Sequence, residues 1–122
     1  MNMEILRTIP QQVQRNQPVA IDSEWFGLNS KQMHRPTSGK FACLTICLEP
    51  GTVHLIQDPN DVPLALEAIN DGLWIIQNAK FDITQLRRLA TIPPRNRIVD
   101  TMLMERILYG GYYHLFGLDR NS

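Results

Sequence analysis

The chain has 122 residues, enough for one domain with a real core and too few for two. Its 43% hydrophobic and 20% charged content is ordinary for a soluble globular protein. With 12 Lys+Arg against 12 Asp+Glu there is no global field. That excludes a histone-like polyanion binder but not a local nucleic-acid site whose positive charge a metal supplies.

Residues 3–16, MEILRTIPQQVQRN, are polar apart from an early apolar patch and carry Pro10, which predicts a short helix or turn docked by Ile5, Leu6 and Ile9. Residues 1–17 are expected to be an N-terminal extension of a domain over 18–122. PVAIDSEW (18–25) predicts a strand, with Val19 and Ile21 turned to the core. The following 27–40 stretch, rich in Gly, Ser, Asn, Pro and basic residues, predicts an exposed loop. KFACLTICL (40–48) is apolar on both alternating faces, as in a central strand covered on both sides. EPGT (49–52) places Pro50 and Gly51 for a type II turn, and VHLIQ (53–57) returns as the hairpin partner.

Asp61 is the expected N-cap of a helix over about 62–70, closed by Gly72. A short strand (73–77), a helix (79–90), a brief strand (97–99) and a helix (100–111) follow. Three antiparallel strands followed by alternating helices and strands predict an α/β domain with a mixed sheet. Cys43 and Cys47 lie in one strand, roughly 13 Å apart, whereas a disulfide needs Cα atoms within about 7 Å. They read as buried thiols, which suits a cytoplasmic protein. No zinc-type Cys/His spacing, signal peptide or membrane-length apolar run is present in the sequence.

Asp22 and Glu24 are two apart, so in a strand both point to one face, about 6.6 Å apart along the chain. That spacing suits a shared divalent cation, and equally a strand end emerging into water. In the 79–90 helix, Ala79, Ile83, Leu86 and Ala90 form the buried stripe, and Asp82 falls on its flank, leaning toward the sheet. A solvated Asp82 and a helix-capping Asn78 are the plainer readings.

Together VAIDSEW, NAKFDITQLRR and DTMLMERILYGGYY resemble the DnaQ-like, or DEDD, 3'–5' exonucleases of RNase H-like fold. The likeness runs from residue 18 onward and is nearest to the proofreading domain of DNA polymerase I, with RNase D-like enzymes next. The resemblance implies two Mg²⁺ or Mn²⁺ ions held by Asp22, Glu24 and Asp82, with Asp22 bridging. It implies that Leu28 wedges against the terminal base, where ordinary loop packing is the alternative. It also implies that Asn78 orders the substrate backbone or the helix.

Lys31, His34, Arg35 and Lys40 could track single-strand phosphates, or simply solvate a loop. Lys80, Arg87 and Arg88 read as an exposed basic helix edge. The family's fourth carboxylate sits in a Tyr-x3-Asp or His-x4-Asp motif. No Tyr here has an Asp four residues on. His114 and Asp119 meet the second spacing, but too soon after Asp82 for the two further helices the family has, and read as coincidence. Asp100 reads as a helix N-cap rather than that ligand.

The expected protein is therefore an RNase H-like domain incomplete at its C-terminus, weak or inactive alone, with missing C-terminal helices or a polymerase domain as partners. An uncovered sheet face would invite self-association. The expected substrate is a single-stranded DNA 3' end. RNA in the RNase D manner, or a non-catalytic scaffold for strand ends or a partner protein, are the alternatives.

Overall fold

The computed structural model describes residues 4–9, 11–27, 39–92 and 97–109. Strict alternation of buried and exposed residues along β2 (Pro18–Phe26) sets the frame of the molecule. Val19, Ile21, Ser23 and Trp25 face the core, and Ala20, Asp22 and Glu24 face outward. β3 (Lys40–Glu49) pairs antiparallel with β2, and β4 (Thr52–Ile56) antiparallel with β3. Gly51, at φ +87°, turns the chain between them, as the EPGT reading requires.

β5 (Leu73–Ile76) and β6 (Ile98–Asp100) add in parallel on the far side of β2. β1 (Glu4–Leu6) lies parallel to β4, which closes a six-stranded sheet of order β1-β4-β3-β2-β5-β6. The expected three antiparallel strands followed by parallel ones are present.

The N-terminal segment departs from expectation. It forms no helix, and its strand is held by long-range partners that local pattern does not reveal. His54, buried on β4, donates from Nδ1 to the Thr8 carbonyl at 2.9 Å. Val13 enters the core and its amide bonds Ala68 O at 2.8 Å.

Three helices join the sheet: α1 (Val62–Ala68), α2 (Ala79–Leu86) and α3 (Thr101–Tyr109). Asp61 precedes α1 but makes no side-chain cap. Asp58 instead accepts from Asn60 N at 2.9 Å and caps a single 3₁₀ turn leading into the helix. Gly72 sits where a Cβ would come within 2.6 Å of Val19 Cγ2, so the chain can press against β2 only without a side chain.

The core is one cluster: Val19, Ile21, Leu44, Ile46, Ile56, Trp74 and Ile76 from the sheet, against Val62, Leu66, Ile69, Ile83 and Leu86. The opposite face of the sheet differs from the expectation for β3. Cys43, Thr45 and Cys47 are only half-buried, and Ala20, Asp22 and Glu24 beside them are exposed, because no described element covers them fully. Both cysteines are free thiols.

Candidate active site

The outward phase of β2 puts Asp22 and Glu24 side by side on the less covered face, opposite Thr45 and Cys43 of β3. Neither carboxylate has a hydrogen-bond or ion-pair partner among the described residues. Two adjacent unpaired anions on one strand repel each other, an arrangement that structural stability alone does not favour.

Asp82 comes from the first turn of α2 and is 4% exposed. The Ser23 hydroxyl donates to its Oδ1. Burial pushes its carboxyl up to about 6, against which the hydrogen bonds from Ser23 pull down, while the negative charges of Asp22 and Glu24 add to the rise. Asp82 is therefore close enough to feel both other acids. It is more deeply buried than the helix-flank reading expects, because Ser23 offers it a hydrogen bond on the core side of β2.

Among the described residues, no three His, Cys, Asp or Glu side chains already stand in ligating geometry. Asp22 and Glu24 share a face, and Asp82 reaches their neighbourhood from the other side of the same strand. The donor set is oxygen only and carries unneutralised negative charge, which fits a hard divalent cation such as Mg²⁺ or Mn²⁺ rather than zinc.

Asn78 and Asp100 exchange their expected parts at the start of α2. Asn78 occupies the N-cap position at φ 59°, ψ 59° and makes no side-chain cap. Asp100 does the capping from across the sheet. Its Oδ1 accepts from Asn78 N (3.1 Å), Met102 N (3.0 Å) and Leu103 N (3.2 Å), and its Oδ2 from Ala79 N (2.9 Å). One carboxylate thus caps α2 and α3 together, and with four amide donors on it, it is not free to ligate a metal. The Asn78 side chain is left exposed beside Asp82's helix.

Lys40, Lys80 and Arg87 are exposed. Arg88 is tied inward: its guanidinium lies 5.5 Å from the Trp25 ring centroid and donates to Gly39 O (3.0 Å) and Gln85 Oε1 (2.9 Å). Leu28, Lys31, His34, Arg35, His114 and Asp119 lie outside the described residues. Sequence reasoning passed over Ser23, Trp25, Gln85 and Arg88, the shell around Asp82. Ser23 in the core phase of β2 and Gln85 one turn beyond Asp82 are polar residues at apolar positions, and that is the signal that marks them.

Order, sheet pairing and acid placement together define an RNase H-like nuclease domain. A family model described as 3'-5' exonuclease matches residues 2–119, and the chain belongs to that family. No curated protein matches it. Among solved structures the fold is similar to Brucella melitensis NrnC, at TM-score 0.63 and 22% identity over 92% of this chain and 54% of that one. NrnC with bound Mg²⁺ matches at TM-score 0.63 and 23% identity, over 92% of this chain and 55% of that one. NrnC bound to pGG matches at TM-score 0.63 and 23% identity, over 91% and 55%. The Aedes aegypti Nibbler EXO domain follows at TM-score 0.53 and 17% identity, over 77% and 47%. The chain spans about half the length of NrnC. None of the described helices is long and apolar enough to cross a membrane.

Proposed function

We propose that the protein is a divalent-metal-dependent 3'–5' exonuclease module that removes nucleotides from the 3' end of a single nucleic-acid strand. One observation carries this reading: Asp22 and Glu24 stand adjacent and unpartnered on β2, with their charge felt by Asp82 from α2. Mg²⁺ or Mn²⁺ bound there would supply Lewis acidity and activate water for phosphodiester hydrolysis. Asp22 and Glu24 give the cation its outer ligands, and Asp82 adds an anionic oxygen from the core side. Asn78, exposed at the start of the same helix, is placed to meet the strand's backbone. Lys31 and Arg35 would contact phosphates, and Leu28 would pack on the terminal base.

DNA of the proofreading kind is the first substrate class on the sequence resemblance. RNA is the second reading, favoured by the likeness of the fold to NrnC, which has been solved bound to pGG.

Single-stranded DNA and RNA oligonucleotides labelled at the 5' end decide the matter. A Mn²⁺-dependent ladder shortening from the 3' end is expected, with the preferred polymer giving the faster ladder. Asp22→Ala should slow it more than about a hundredfold, beyond the loss typical of a residue that only supports a ligand. Protein that binds no Mn²⁺ at millimolar concentration, or cleavage that survives chelation, would overturn the reading.

A further inference from the structure

Two residues interrupt the apolar run on the core face of β2: Ser23, 7% exposed, and Trp25, 9% exposed. The indole Nε1 of Trp25 donates to Ser23 Oγ at 2.9 Å, and Ser23 Oγ contacts Asp82 Oδ1. An indole N–H can only donate, so the serine oxygen accepts on that side and its single proton is left for the carboxylate. The polarity of the chain is thereby fixed, running from Trp25 through Ser23 to Asp82.

Its far end is anchored. The Trp25 ring meets the Phe41 ring edge-on, with centroids 5.4 Å apart and planes at 74°. Arg88 covers the indole and is itself held by Gly39 O and Gln85 Oε1. A register shift between Glu24 and Trp25, where the pairing skips one residue of β3, sets Trp25 opposite Phe41.

We propose that Trp25 and Ser23 are positioning residues that orient the Asp82 carboxylate toward the cation shared with Asp22 and Glu24. The proposal rests on the metal-site reading above. The terminal torsion of an Asp is soft, and one donor locked on Oδ1 narrows it to a single plane. Ser23 lies between Asp22 and Glu24 in the chain, so the residue that aims the third acid is built into the strand that carries the first two. Outer partners of this kind are worth about 10–100-fold in metal affinity.

Mn²⁺ affinity, followed by the electron-spin resonance of free Mn²⁺, and the indole N–H signals of metal-free protein test this together. Ser23→Ala should weaken Mn²⁺ binding about tenfold, and Ser23→Thr, which keeps the hydroxyl, should restore it to within about twofold. Trp25→Phe keeps a ring and removes the donor, and should weaken binding about threefold, the scale of one neutral hydrogen bond. In metal-free protein, Asp82→Asn should move the Trp25 indole signal and leave that of Trp74, whose Nε1 donates to Ile69 O at 2.7 Å, unmoved.

Wild-type affinity in both Ser23→Ala and Trp25→Phe, with binding lost in Asp22→Ala, would overturn the relay and leave the nuclease reading standing. An unmoved Trp25 signal in Asp82→Asn would also overturn the relay. Absence of Mn²⁺ binding in wild type would overturn both.

Discussion

A carboxylate shut beneath a strand that bears two more carboxylates is under pressure to take up a proton, and Asp82 shows it by titrating at about 6 instead of 3.8. Because the folded value lies above the unfolded one, the native state binds more protons than the unfolded state between about pH 4 and 6, and stability falls as pH rises through that window. Below the window the contribution is fully present, and above it is lost. Solvent screening trims the conversion of 1.36 kcal/mol per unit, leaving about 1–2 kcal/mol. Urea unfolding of wild type and Asp82→Asn at a series of pH values checks this: their difference in stability should change across the window and be flat on either side. At this scale the sequence shows part of the site. Asp22 and Glu24 are readable because a strand repeats every two residues. Ser23 and Trp25 are not, since alternation tells which face a residue takes but not which helix will bring a carboxylate to it.

Asp100 ties two elements by one side chain, and the start of α2, which carries Asp82, depends on it. Asn78 holds a left-handed backbone, uncommon for a residue with a side chain, and the amide of Ala79 behind it finds its acceptor on Asp100. Asp100→Ala removes the acceptor from both helix ends and should cost about 2–3 kcal/mol, two caps' worth, with thermal unfolding as the measure. Asp100→Asn keeps one carbonyl oxygen and should cost about half as much. The sequence identifies Asp100 as a cap of the helix it precedes. Its second helix starts 22 residues earlier, and local pattern cannot reach that partner. The same limit hides β1, a three-residue strand whose partner β4 lies nearly fifty residues on. The long alternating run of β2 and the EPGT hairpin carry their own signals and appear where the pattern puts them.

Across the whole molecule, zero formal net charge means that nothing long-range draws in a polyanion, and the unpaired Asp22 and Glu24 locally repel one. The two faces of the sheet divide the labour: one is packed by helices into the core, and the other presents these acids. Without a cation, the acids from β2 and α2 push on each other across the junction of strand and helix. With one, the same charges bind the two elements together, so the ion should act on global stability as well as on chemistry. At a hundredfold excess over Kd, binding to the folded state alone adds about 2.7 kcal/mol, roughly 10 °C of Tm in a domain of this size. Asp22→Ala separates the two effects by sign: it relieves repulsion on Asp82, so metal-free Tm should stay equal or rise, while the Mn²⁺-induced increase should vanish. Calorimetric melts of both proteins with and without Mn²⁺ measure it. An equal Mn²⁺ shift in wild type and Asp22→Ala would place the ion elsewhere on the surface. A lower metal-free Tm in the variant would mean that Asp22 is kept for the fold rather than for a cation.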